Sequence, residues 1–237
     1  MTKGPALHPD YLEAPVLLAR DDFWGQVRRT VGGKPVGEDQ ISMIVGAVVA
    51  GLDLSPEDVV LDLACGNGAL TARLPACSGA LGVDYSGYLI SVAKEYFARP
   101  PGLDFVCQDV ASFVWQCPHP GRFTKVLCYG SFSYLTPEDC ESVLRGVSKR
   151  FTAVSRVFLG NLPDRNQARD FYKDGAPDLG TMTSPTSPIG IWRSEDEISS
   201  LAKDCGWSAT FYRMPDGYYA RHYRYDAVLI KPSSQPA

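Results

Sequence analysis

Residues 58–74 read DVVLDLACGNGALTARL: an apolar run ending in Asp62, a turn holding Gly66 and Gly68, then a helical pattern over about 68–75. A strand that enters a glycine turn and leaves as a helix brings backbone close to a ligand and aims helix N–H groups at it. The dinucleotide fingerprint G-x-G-x-x-G would need a third glycine at position 71, where Thr71 stands, which counts against NAD or FAD. Asp62, at the strand end, would repel a pyrophosphate and welcome an ammonium group.

Working outward, apolar runs suited to buried parallel strands recur at 58–63, 80–84, 103–107, 124–129 and 155–160. Helix-like stretches at about 68–75, 87–98 and 137–150 separate them, a βαβαβ rhythm that implies a parallel sheet covered on both faces. A helix at about 194–205, opened by the capping sequence SEDE, precedes SATFYRM and RYDAVLIK, two strands with no helix between them. That pair suggests an antiparallel hairpin closing the sheet. Amphipathic patterns near 10–29 and 38–51 place a helical cap in the first 55 residues. The segment 162–191, rich in Pro, Gly, Ser and Thr, is too long for an idle connection and reads as a substrate lid or a surface insertion.

With 237 residues, 45% of them hydrophobic, the chain suits one domain spanning 1–237. The net charge of −4 offers no field to draw in a polyanion, which argues against nucleic acid. The first residues lack the apolar core of a signal peptide, and no window reaches the roughly 18 apolar residues of a membrane span, so a cytoplasmic protein without a membrane partner is expected. Seven cysteines without CxxC spacing read as reduced core residues, and three scattered histidines give no zinc pattern, so no metal is expected.

Two further acids follow strands. Asp84 in LGVDYS can accept both hydroxyls of a ribose, and Asp109 in VCQDVASF is placed for an adenine amino group. Together with Asp62 they suit a cationic nucleoside better than a phosphate-bearing one; S-adenosylmethionine (SAM) is such a molecule. In order and spacing, DLACGNG, GVDYS and QDVASF resemble the first three motifs of the class I SAM-dependent methyltransferases, over roughly 40–160. Ala64 stands where that family often has its first glycine. The resemblance implies a Rossmann-like α/β fold with a seven-stranded, mostly parallel sheet, helices on both faces and an antiparallel final strand. It also implies that Gly66 and Gly68 back the methionine portion, that Asp84 holds the ribose, that Asp109 with Val110 contacts adenine, and that Ala64 and Tyr85 belong to the same cofactor site.

CYGSFSYL follows the fourth strand in place of the N-P-P-Y of DNA-adenine and protein-amide methyltransferases, which points to a small-molecule acceptor. Tyr129, Ser131, Phe132 and Tyr134 lie at a strand's carboxyl end and are expected in the wall between cofactor and acceptor. The segment 21–41, with GNLPDR and the terminal YYARHYRYD, is also similar to small methyltransferases of bacterial surface-carbohydrate and natural-product pathways. On that likeness Trp24 and Gln26 close over the cofactor. Arg28, Lys34, Arg165, Arg221 and His222 gather round a polar or anionic acceptor, with His222 or Tyr129 as the catalytic group. The expected activity is methyl transfer to an oxygen or nitrogen of a small metabolite; the alternative is a non-catalytic nucleoside-binding or partner subunit with the same fold.

Overall fold

The computed structural model describes residues 14–75, 77–172 and 178–232. A one-turn helix α1 (Phe23–Gln26) leads into a short antiparallel hairpin, β1 (Thr30–Val31) and β2 (Lys34–Pro35), and then α2 (Glu38–Leu52). The main body follows as β3 (Val59–Leu63), β4 (Gly79–Asp84), α3 (Gly87–Tyr96), β5 (Leu103–Cys107), α4 (Val110–Gln116), β6 (Lys125–Tyr129), α5 (Pro137–Arg150) and β7 (Arg156–Pro163). Two short helices, α6 (Ala168–Phe171) and α7 (Leu179–Thr183), precede α8 (Glu195–Asp204), β8 (Ser208–Tyr212) and β9 (Arg224–Ile230).

The large sheet has seven strands in the order β5-β4-β3-β6-β7-β9-β8, and β9 alone runs against its neighbours. Side chains alternate between its faces, as period-two geometry requires. Leu61, Val126 and Val157 pack toward α4, α5 and α8, whereas Val60, Leu127 and Phe158 pack toward Ile41, Ile44 and Val48 of α2. Each such fully buried aliphatic side chain contributes about 1.5 to 3 kcal/mol. Strand order reverses between β3 and β6, which opens a crevice at their carboxyl ends where ligands bind in open α/β sheets.

Several sequence expectations change. The helix anticipated over 68–75 is only a three-residue turn, Thr71–Arg73, because Gly68 is left-handed (φ +74°) and Leu74, which precedes Pro75, is extended. The helix anticipated over 10–29 is a turn at Ala14–Leu17 and the single turn α1, with residues 10–13 outside those described. Helix α4 was not anticipated; Asp109 caps it by accepting from the Ser112 N–H at 2.7 Å. The capping box at Ser194 and Glu197 forms as the SEDE pattern indicates.

Within 162–191, residues 173–177 lie outside those described. Its later part is tied to the body: Ile191 is buried and its N–H donates to the Ser133 carbonyl at 2.7 Å, the Met182 carbonyl accepts from the Trp192 N–H at 2.8 Å, and Tyr134 donates to the Pro188 carbonyl at 3.0 Å. The seven cysteines are free thiols, four of them buried, while Cys107 is exposed rather than in the core. Among the described residues no helix is long and apolar enough to cross a membrane, and no group of three His, Cys, Asp or Glu is arranged for a metal.

Candidate active site

The cleft at the crossover is built around two buried carboxylates. Asp62, the penultimate residue of β3, is 2% exposed and accepts from the Thr71 hydroxyl at 2.6 Å. Beyond it the chain turns through Ala64 (φ +58°) and Gly66 (φ +60°), and the Gly66 N–H donates to Asp84 Oδ2 at 2.9 Å. The other oxygen of Asp84 accepts from the Ser86 N–H, also at 2.9 Å. A carboxylate has about four acceptor positions, so Asp84 keeps one free on each oxygen, the arrangement that a vicinal pair of hydroxyls requires.

Burial pushes the Asp62 carboxyl up to about 7, against the opposing pull of Thr71 and, more weakly, of Arg29. Burial also raises Asp84, opposed by its two backbone donors. Two acids held in low dielectric favour a cationic ligand there.

Asp84, Tyr85, Leu89, Asp109 and Val110 line one end of the cleft. Asp109 spends one carboxylate oxygen on the α4 cap and is half-buried, Val110 is buried beside it, and burial lifts the Tyr85 phenol to about 12. Gly68 lies behind the lining instead: a Cβ there would stand 2.5 Å from the Phe105 ring, so this glycine allows the loop to pack on β5.

Over the other end runs a strap formed by α1 and the β1–β2 hairpin, contributing Trp24, Gln26, Val27 and Arg29. Asn67 of the glycine loop fastens it, donating to the Phe23 carbonyl at 2.7 Å and to Gln26 Oε1 at 2.9 Å. Buried Gln26 in turn donates to the Ala19 and Arg20 carbonyls. Arg29 is 9% exposed, its guanidinium 4.8 Å from the Tyr129 ring centroid and 5.6 Å from that of Trp24. Its Nη1 is buried and has no hydrogen-bond partner among the described residues.

Tyr129, Ser131, Tyr134 and Leu135 complete the lining. The Tyr129 hydroxyl meets that of Tyr218, from the loop joining β8 to β9, at 3.0 Å, and Ser131 donates to the Ala64 carbonyl at 3.3 Å. Phe132 is buried in the core below.

The basic cluster expected round the acceptor does not assemble. Arg28 and Lys34 are exposed on the outside of the strap. Arg165 is held by Glu197 at 2.6 Å and by the Trp192 carbonyl, and Arg221 pairs with Asp216 at 3.2 Å. His222 is exposed, its ring tilted against that of Tyr223 with centroids 4.8 Å apart. None of the five lines the cleft. Arg165 and Arg221 are paired with Glu197 and Asp216, which sequence spacing does not reveal. Spacing also fails to single out Arg29 over Arg28: the alternation across the strap that turns one inward and the other outward depends on Arg28 adopting φ +52°.

Residues 60–152 match the family described as Methyltransferase domain. No curated relative matches by sequence. Among solved structures, the magnesium protoporphyrin IX methyltransferase of Synechocystis PCC 6803 with bound SAH is similar at 18% identity and a TM-score of 0.63, covering 95% of this chain and 98% of that one. The cyclopropane synthase MmaA2 of Mycobacterium tuberculosis is similar at 13% identity and a TM-score of 0.65, covering 94% and 98%. A Haloferax volcanii putative methyltransferase, in complex with the Trm112 activator, gives 16% identity and a TM-score of 0.60, covering 84% and 93%. The fold is the Rossmann-like methyltransferase fold, with its reversed strand next to the sheet edge.

Proposed function

We propose that this chain, which carries a methyltransferase domain over residues 60–152, transfers the methyl group of SAM to an oxygen or nitrogen of a small polar metabolite. The observation that carries the reading is the pair of buried acids, Asp62 and Asp84, opening on one cleft. Such a pair is costly to bury without a cationic or hydroxyl-bearing ligand. The residues fit: Asp84 has a free acceptor position on each oxygen for a ribose diol, Asp109 and Val110 would border the adenine, and Asp62 would face the amino group.

When bound, SAM supplies an electrophilic methyl group on a sulfonium. The protein's part is to orient the acceptor and exclude water. Tyr129, Ser131 and Tyr134 form a neutral, hydroxyl-bearing wall. Burial holds the Tyr129 phenol far above its usual range, so it remains protonated at neutral pH and serves as a hydrogen-bonding group, not as a base. Because Arg28, Lys34, Arg165 and Arg221 stand away from the cleft, an uncharged polar acceptor suits the site better than an anionic one. The stretch 178–191, which touches the wall where Tyr134 donates to Pro188, is the natural roof over that acceptor.

Calorimetry with S-adenosylhomocysteine (SAH) and with NAD tests the reading: SAH should bind and NAD should not. Binding of NAD in preference to SAH would overturn it. Tight SAH binding without turnover on any hydroxyl or amine panel would favour the non-catalytic alternative.

A further inference from the structure

Strand β7 loses register with β9 between Leu159 and Leu162, and Asn161, at the break, is left-handed (φ +64°). That conformation is unfavourable for a residue with a Cβ and persists only where its surroundings enforce it. Here β9 grips the peptide from both sides: Asp226 Oδ1 accepts from the Asn161 N–H at 2.6 Å, and the Arg224 guanidinium donates to the Asn161 carbonyl. Both gripping side chains are buried, and Arg224 is itself held over the Tyr223 ring at 4.9 Å. Burial lifts the Asp226 carboxyl only to about 6, opposed by the Asn161 N–H and by Arg224, so the grip is charged at neutral pH. A bulge held so firmly serves to aim a side chain.

The amide so aimed lies at the carboxyl end of β6. Asn161 Nδ2 is 3.6 Å from where a Cβ on Gly130 would stand, and Gly130 sits between the cleft-lining Tyr129 and Ser131. From the strap, Arg29 Nη2 comes within 3.7 Å of the same point. The preceding Gly160 lies under Tyr129, whose ring a Cβ there would strike. Asn161 Oδ1 is buried and has no hydrogen-bond partner among the described residues, which is unfavourable until a donor arrives. The nearby wall hydroxyls are engaged elsewhere, Tyr129 with Tyr218 and Ser131 with the Ala64 carbonyl.

We propose that Asn161 is a specificity-determining residue for the methyl acceptor: its amide oxygen receives an N–H or O–H of the atom to be methylated, and Arg224 and Asp226 are the positioning residues that hold it there. The inference rests on the proposed use of SAM and adds the acceptor's side of the site. Holding the acceptor's hydrogen turns a lone pair of the same atom toward the methyl, so the site selects a proton-bearing nitrogen or oxygen over a tertiary amine or an ether. Bond-making spends that lone pair on the methyl carbon and returns the carbon–sulfur pair to sulfur; the proton then leaves to solvent, because a neutral amide is no base.

The test compares SAH with sinefungin, in which an amine-bearing carbon replaces the sulfur and so presents N–H donors beside the acceptor position. Calorimetry of both ligands is run on the wild-type chain and on Asn161→Gly, Asn161→Asp, Asp226→Asn and Asp226→Ala, with SAH affinity as the check that each variant is folded. Wild type should bind sinefungin about tenfold or more tightly than SAH, as one hydrogen bond from a charged donor allows. Asn161→Gly keeps the left-handed backbone without strain and removes the amide, so it should bring the two ligands within about threefold with SAH affinity unchanged. Asn161→Asp keeps an acceptor oxygen and should keep the preference. Asp226→Asn retains an oxygen for the Asn161 N–H and should keep most of it, whereas Asp226→Ala should lose it. Should Asp226→Ala fail to bind SAH, the two Asn161 variants decide alone. The inference is overturned if wild type binds the two ligands equally, if the preference survives Asn161→Gly, or if Asp226→Asn loses as much as Asp226→Ala, which would assign the preference to the carboxylate's charge. A wild-type chain that binds neither ligand would instead overturn the proposed function itself, and this inference with it.

Discussion

Thr71 donates its hydroxyl to Asp62 across 2.6 Å. The residue that stands where a dinucleotide fingerprint needs glycine is therefore the one that orients the acid at the end of β3. Thr71→Val keeps the shape and removes the donor. Hydrogen bonds to charged groups contribute about 1.5 to 3 kcal/mol, so the variant should push the Asp62 carboxyl further up and weaken SAM binding at pH 7 by about three- to tenfold. Calorimetry of SAM and SAH should show the loss; unchanged affinity would remove this hydrogen bond from the site.

Asp62 also sets a pH dependence. Its folded value, about 7, lies above the ordinary carboxylate value of 3.8, so the folded chain holds this proton more tightly than the unfolded chain. Below the unfolded value both states are protonated and no penalty arises. As pH rises from about 4 to about 7 the unfolded state ionises first, and the Asp62 contribution to stability falls. A cationic ligand favours the ionised form, so SAM affinity should rise over the approach to pH 7 and level off above it. Asp62→Asn should melt higher than wild type at pH 8 without ligand, bind SAM more weakly, and lose the pH dependence. Calorimetry and thermal unfolding from pH 5.5 to 8.5 would check all three.

Asp84 faces two ways, toward the Gly66 and Ser86 backbone donors and toward the cleft. Asp84→Asn replaces one acceptor by a donor aimed at an N–H. Losing the charge and one of the two acceptors should cost about 1.5 to 3 kcal/mol of binding, at least tenfold in affinity. SAH and 5′-methylthioadenosine, which keeps the nucleoside but lacks the amino-acid tail, share the ribose, so both should weaken alike. An effect confined to SAH would remove the ribose from Asp84.

The strands and the three acids were legible because each depends on short-range pattern. Apolar runs with an acid at their end keep that meaning wherever the sheet places them, and Asp62, Asp84 and Asp109 line one cleft because parallel strands end on the same side. The strap was not legible in the same way. Whether Arg28 or Arg29 enters the cleft depends on a left-handed residue, and the partners of Arg165 and Arg221 come from folded-chain proximity to Glu197 and Asp216. The turn at Thr71–Arg73 was overread as a helix because the apolar spacing was followed through to Pro75, the residue that disfavours a helical Leu74.

Two loop substitutions separate backbone strain from packing. Ala64 holds φ +58°, a conformation that costs an L-residue about 1 to 2 kcal/mol, so Ala64→Gly should raise stability by up to about 1 kcal/mol after the entropy of the added glycine is counted. Gly68 holds φ +74° and already meets Phe105 and Ala93 where a Cβ would go. Gly68→Ala should cost about 2 to 4 kcal/mol, lowering the melting temperature by roughly 5 °C or more. Equal effects of the two changes in thermal unfolding would contradict this assignment.

The loop joining β8 to β9 reaches the site through Tyr218, not through the histidine four residues later. Tyr218 and Tyr129 are 4% and 5% exposed with their hydroxyls 3.0 Å apart, whereas His222 is exposed on the rim. Gln40 of α2 clasps this loop, donating to the Gly217 carbonyl at 3.2 Å and accepting from the Tyr219 N–H at 3.0 Å. Tyr218→Phe leaves the Tyr129 hydroxyl without that partner in a dry environment, which should cost about 1 to 2 kcal/mol of stability. It should also loosen the wall and lower acceptor turnover several-fold at saturating SAM, with SAH affinity little changed. His222→Ala breaks only a surface ring contact and should stay within about 0.5 kcal/mol of wild type in unfolding. If His222→Ala cut turnover a hundredfold while Tyr218→Phe did nothing, the exposed imidazole would have to reach the acceptor by a movement of this loop. The Gln40 clasp opposes that movement, so Gln40→Ala should then raise turnover by freeing it.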